Sequence, residues 1–210
     1  MDFANPLGIA CRVVKEVTHL GQQARVVAGS ATFSIKLDEL WIAVTTPDRL
    51  AQWLAPVSGE LKLGGRYQMD GNAGGKIKQC TPPEAFEVTW EFGENTSWLR
   101  VQLDPIGDGT KLTLEHILSM DASSEEHWRK YGPGATGVGW ELSFFALQCH
   151  IRTSGPVSQD DYNTWLMTDD GKAFIRSCSA AWANAHIAAG EEESTAKDMA
   201  EQTARFYCGE

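Results

Sequence analysis

Between residues 57 and 120 the chain repeatedly alternates apolar and polar side chains and breaks only at short turns, a pattern that fits a sheet of antiparallel neighbours and little else. Val57, Leu61 and Leu63 alternate with Ser58, Glu60 and Lys62, Gly64-Gly65 suits a tight hairpin turn, and Tyr67 and Met69 continue the pattern on the return strand. Further strands are expected at 76–80, 86–92, 98–103 and 111–120, separated by Gly74-Gly75, Pro82-Pro83, Glu94-Asn95 and Gly107-Asp108-Gly109.

A polar loop, DASSEEHWRKYGPG (121–134), ends this run, and ATGVGWELSFFALQCHIR (135–152) follows. There Val138, Trp140, Leu142, Phe144, Phe145, Leu147, Cys149 and Ile151 leave almost no polar side, and a helix apolar all round is buried on most of its faces. A long helix against an antiparallel sheet makes an α+β fold. Upstream, ARVVAGSATFSIKL (24–37) is rich in β-branched residues and reads as a strand with a bulge at Gly29. Asp38 is placed to cap a short helix, ELWIAVT, and Thr46-Pro47 to start a second, with Leu50, Trp53 and Leu54 on one face and Pro56 as its end. Residues 157–190 and 194–207 read as a helical tail, and Glu191-Glu192-Glu193 between them as a solvated loop or helix start.

Charge and cysteine usage remove several function classes. The formal net charge of −10 over 210 residues opposes a phosphate backbone, which excludes nucleic acid as the expected partner. Five cysteines, odd in number and never in a Cys-x-x-Cys pair, read as reduced thiols and a cytoplasmic location. Leu7-Gly8-Ile9-Ala10-Cys11 is similar to a lipoprotein cleavage box, but Asp2 stands where a cationic region belongs, so export is not expected. No apolar run approaches the ~20 residues needed to cross a bilayer, so no membrane is expected as a partner.

The chemical motifs are equally restrictive. Residues 132–137, GPGATG, match a dinucleotide fingerprint by letter, but a charged loop precedes them and no βαβ unit follows. GNAGGKI (71–77) lacks the first glycine and the hydroxyl of a phosphate loop and reads as a hairpin turn. His19, His116, His127, His150 and His186 show no metal-ligand spacing, and there is no G-x-S-x-G elbow. Neither a metal nor a cofactor is expected.

The order of strand, two short helices, six-stranded antiparallel run and long C-terminal helix is the helix-grip order. LWIAVTTPDRLAQWLAP (40–56), GELKLGGRYQM (59–69), GGKIKQCTPPEAFEVTWEF (74–92) and DGTKLTLEHI (108–117) resemble the START/Bet v1-like (SRPBCC) superfamily, in its heat-shock protein 90 ATPase activator homologue-like and polyketide cyclase-like branch. The resemblance covers residues 24–152, which it implies are a ligand-binding domain, with 153–210 a helical extension packed on it. It further implies a sheet curled around the long helix, two short helices closing one end, and a cavity between them. Superfamily members include ligand carriers and a few aromatase/cyclases, so membership alone does not settle the chemistry.

Strand alternation then selects the side chains that face such a cavity. Tyr67, Met69, Val88, Trp90, Val101 and Leu114 fall on the apolar faces, alongside Leu61, Leu63, Phe86, Phe92, Leu99, Leu103, Leu112, Leu118 and Met120, and Trp140 and Phe144 supply flat walls from the helix. His116 is the titratable member of its stripe, either a polar anchor or a core histidine satisfied by a partner. Glu141 beside Trp140 either meets the cavity as an acid or base, or lies on the helix's exposed edge. Three functions follow: a carrier of a small apolar, aromatic or lipid-like ligand; a cyclase- or hydrolase-like enzyme with His116 and Glu141 as a proton-transfer pair; and a chaperone-associated interaction module. The sequence leaves a homodimer open.

Overall fold

The computed structural model describes Phe3 and residues 11–210; residues 7–10 of the cleavage-box-like stretch lie outside them. The strands are β1 (Cys11–His19), β2 (Gln22–Phe33), β3 (Val57–Gly59), β4 (Arg66–Met69), β5 (Gly74–Thr81), β6 (Ala85–Phe92), β7 (Asn95–Ile106) and β8 (Gly109–Ser119). They form one eight-stranded antiparallel sheet ordered β1-β2-β8-β7-β6-β5-β4-β3. The helices are α1 (Leu37–Thr45), α2 (Pro47–Leu50), α3 (Ala122–Tyr131), α4 (Gly134–Thr153), α5 (Gln159–Leu166), α6 (Asp169–Ala188) and α7 (Glu193–Cys208). Because β2 pairs with β8, the first and last strands of the run lie side by side, and α1 and α2 carry the chain from β2 to the opposite edge at β3.

Register decides what faces inward. Val27 pairs with His116, His116 with Leu99 and Leu99 with Val88, so these four side chains share one row on the concave face. The adjacent row holds Gly29, Leu114, Val101 and Phe86. The opposite face carries a small apolar cluster of Ala24, Val26, Ala28 and Ile117. The central helix α4 packs on the concave side, where Val138, Phe144, Phe145 and Leu147 join the main core.

Several local expectations are corrected. The sheet has eight strands because β1 joins it: this edge strand is half-exposed on both faces, so its sequence carries no clean alternation. Gly29 is not bulged, being in register with Arg12 on one side and Leu114 on the other; the irregularity lies between Ile77 and Gln79. Lys36, not Asp38, precedes α1, and Asp38 sits in the first turn, where a carboxylate complements the helix dipole. Thr46 does flank α2, but its hydroxyl turns back to the Ile42 carbonyl at 2.8 Å instead of capping forward.

The β3–β4 connection is also wider than a tight hairpin. β3 stops at Gly59, and Leu63, expected on an apolar face, is 63% exposed. Gly74-Gly75 lies inside β5, not in a turn, because a Cβ on Gly75 would stand 2.0 Å from the Thr89 carbonyl oxygen of β6. Residues 121–134, expected as a loop, contain α3, capped by the Asp121 carboxylate accepting from the Ser124 amide at 2.9 Å. Only Trp128 of α3 is buried, beneath the Arg25 guanidinium 4.7 Å from its ring, so the segment's sequence looks solvated throughout.

The tail docks behind α4, away from the sheet's interior. Phe145 meets Trp165 at 4.9 Å and Phe174 at 5.5 Å between ring centroids, and the Tyr162 hydroxyl donates to the Leu142 carbonyl at 2.7 Å. Ile175, Cys178 and Trp182 belong to the same continuous core as the sheet residues. The contact is closest at Gly137, where a Cβ would lie 2.1 Å from the Trp182 indole. Gly137→Ala is therefore expected to cost about 3 kcal/mol through overpacking. For a chain of this size that is a fall in melting temperature of roughly 6–12 °C by calorimetry.

Candidate ligand-binding cavity

A cavity of about 380 Å³ lies between the concave sheet, α4 and the α1–α2 turn. Tyr67, Met69, Val88, Trp90, Val101 and Leu114 reach it from β4, β6, β7 and β8, and Trp140, Phe144 and Leu147 from α4. Trp90 and Trp140 meet edge to face at 5.2 Å, the offset that aromatic quadrupoles favour, and form one corner. Trp41 of α1 meets Phe86 of β6 in the same manner at 6.0 Å, joining the helical end to the sheet.

The α1–α2 end supplies lining that strand alternation does not reach: Val44, Thr45, Thr46, Leu50, Trp53 and Leu54. Trp41 on α1 and Trp53 in the turn after α2 line the cavity themselves, and the Trp53 indole donates to the Ala43 carbonyl at 2.9 Å, tying that turn to α1. The Val157 amide holds the same turn through the Gln52 carbonyl at 2.7 Å. The i, i+3, i+4 spacing of Leu50, Trp53 and Leu54 was the available signal. Cys80 near the end of β5, Pro82 in the β5–β6 connection and Ser143 on α4 complete the lining with features that no pattern marked.

His116 is buried, 6% exposed, and stands behind the lining with its ring 5.9 Å from both Trp90 and Trp140. The Trp140 indole can only donate, and it reaches His116 Nδ1 at 3.2 Å, so Nδ1 is the bare nitrogen and the proton sits on Nε2. Nε2 then donates to Ser97 Oγ at 2.8 Å, and Ser97 donates onward to the Trp90 carbonyl at 3.2 Å. Burial pulls the His116 pKa down to about 4, which keeps the ring neutral near neutrality. Both nitrogens are thus occupied in orienting the two tryptophans of the corner.

Glu141 does not meet the cavity, nor does it lie on an exposed edge. It is 0% exposed and accepts both Arg12 donors of β1, Nε at 2.8 Å and the terminal nitrogen at 2.7 Å. Burial, and next the Glu141 carboxylate, push the thiol of Cys178 on α6 upward. Glu141 therefore links β1, α4 and α6, while His116 faces Trp140, Ser97 and Trp90, so the two are not assembled as a proton-transfer pair. Tyr67 is the titratable oxygen of the lining; burial first and Glu91 second raise its pKa, and its hydroxyl donates to the Thr89 carbonyl at 2.8 Å. Among the described residues no group of three or more His, Cys, Asp or Glu side chains is placed to hold a metal ion.

A curved antiparallel sheet gripping one long helix around an apolar cavity defines a helix-grip cavity protein. Residues 34–150 match the family of activator of Hsp90 ATPase homolog 1-like proteins, and the chain belongs to that family. The solution structure of CalU16 from Micromonospora echinospora is similar, with 27% identity, a TM-score of 0.69, and 88% of this chain and 99% of that one covered. The crystal structure of CalU16 matches at 26% identity and a TM-score of 0.62, covering 83% and 96%. EF2215 from Enterococcus faecalis, a conserved protein of unknown function, shares the fold at 14% identity and a TM-score of 0.56, covering 83% and 91%. A comparison with curated proteins gives no match. Among the described residues no helix is long and apolar enough to cross a membrane.

Proposed function

We propose that the chain is a small-molecule-binding protein that takes up a hydrophobic, flat ligand between its sheet and α4. The observation that carries this reading is the cavity itself: about 380 Å³, with Trp90, Trp140, Phe86, Phe144 and Trp41 among its walls. That volume falls within the ~300–1,000 Å³ typical of small-molecule sites. Burial of apolar ligand surface supplies the affinity, at about 25 cal/mol per Å² before the costs of association. The core continues behind α4 into residues 153–210, none of which lines the cavity, so this segment serves as a brace for α4 within one folded unit. The free cysteines Cys11, Cys80, Cys149, Cys178 and Cys208 suit a carrier working in a reducing compartment.

Filling the space tests the reading. Leu114→Trp places an indole among Val101, Val88 and Leu112, where it occupies the volume a guest would use. The wild-type protein is expected to bind the neutral dye Nile red with a fluorescence gain, and the dye to raise its melting temperature as mass action requires. Leu114→Trp is expected to retain a cooperative melt and to lose at least ~10-fold in dye affinity. Undiminished dye binding by a folded Leu114→Trp protein would place the dye elsewhere and defeat the proposal.

A further inference from the structure

Among the described residues, the 25 side chains that line the cavity include no Asp, Glu, Lys, Arg or His, so none of them neutralises a charged guest. Its hydroxyl protons are already given to backbone carbonyls: Thr45 donates to Trp41 at 2.6 Å, Thr46 to Ile42 at 2.8 Å, Tyr67 to Thr89 at 2.8 Å and Ser143 to Gly139 at 3.0 Å. The Trp53 and Trp140 indoles are spent on Ala43 and His116. The four hydroxyl oxygens of the lining are therefore left as acceptors, and among the described lining side chains the donors not already bonded are neutral, the Trp41 and Trp90 indoles and the Cys80 thiol.

We propose that the ligand is uncharged along its whole buried length, a neutral aromatic or polycyclic compound whose polar substituents are hydroxyl-type donors, and that carboxylates and ammonium ions of the same shape are rejected. This rests on the small-molecule-binding reading and adds a selection rule to it. An ion entering the cavity loses its hydration without gaining a counter-charge, a penalty that apolar contact does not offset. An anion meets in addition the lone pairs of Thr45, Thr46, Tyr67 and Ser143 and the repulsion of a chain with a net charge of −10. A hydroxyl group instead donates into one of those lone pairs. Selectivity comes here from groups the site lacks, which is discrimination by an unfavourable environment.

An isosteric set decides the matter: 9-anthracenemethanol, 9-anthracenecarboxylate, its methyl ester, and 9-anthracenemethylammonium, titrated at pH 7.5 by anthracene fluorescence. The alcohol and the ester are expected to bind, and both ions to bind at least ~100-fold more weakly than the alcohol. Leu114→Trp, or Val88→Phe should the first variant not fold, is expected to abolish the alcohol's signal, which assigns it to the cavity. A carboxylate or ammonium bound within ~100-fold of the alcohol, and displaced by the same substitution, would overturn the selection rule while leaving the carrier reading intact. Failure of all four at millimolar concentration would remove the carrier reading and this inference with it.

Discussion

Replacing Arg12 by Leu is expected to cost about 3 kcal/mol or more, because it strands the Glu141 carboxylate in the interior without its guanidinium. Arg12 itself is 19% exposed, so water can relieve part of the penalty, which sets the expectation at the low end of the ~3–5 kcal/mol for broken buried pairs. The fall in melting temperature should be roughly 6–12 °C. The double variant Arg12→Leu with Glu141→Leu removes both charges and is expected to recover most of the loss, since an apolar pair of similar volume can replace a buried ion pair. A single-variant loss below ~1 kcal/mol would mean that the bidentate contact does not anchor β1 to α4. The pair matters because β1 is an edge strand held on one side only by β2.

His116 is expected to make stability depend on pH in a window set by burial. Its folded pKa is about 4 against an ordinary value of 6.5, so between these values the unfolded chain binds the proton and the folded one does not. The contribution is complete above pH 6.5 and is lost as pH falls toward 4, amounting to about 3 kcal/mol at 1.36 kcal/mol per pK unit. Protonation would also put a proton on Nδ1, where the Trp140 indole now donates, and so undo the corner formed with Trp90. Denaturant unfolding of wild type and His116→Gln at a series of pH values isolates this contribution from the carboxylates, which titrate in both. The gap between the two proteins should shift in wild type's favour by about 3 kcal/mol from pH 4 to pH 6.5; a constant gap would contradict the buried neutral assignment.

The strands of the sheet's centre were legible because burial there is one-sided. In β8, Leu112, Leu114 and His116 point inward while Thr113 and Glu115 point out, so the period of two survives in the letters. β1 and α3 were not legible for the opposite reason: each is exposed along most of its length, and only Trp128 of α3 is buried. The strand residues of the cavity followed from the same alternation, whereas Val44, Thr45 and Thr46 line it only because the α1–α2 connection folds over its end. Glu141 shows the limit most clearly. Its partner Arg12 lies 129 positions away on a strand without clean alternation, so no local spacing could distinguish a cavity acid from a bracing ion pair. His116 was visible as an anomaly on an apolar stripe, but its role depends on Trp140, which register and helix docking bring to Nδ1.

The most direct test of an open, guest-accepting interior is a methyl-detected NMR titration with 9-anthracenemethanol. Intermolecular contacts are expected to Val88, Val101, Leu99 and Leu114 on the concave face, with none to Val26 or Ile117 on the outer face. Unchanged signals from the concave methyls at saturating probe, or contacts confined to the outer face, would contradict it.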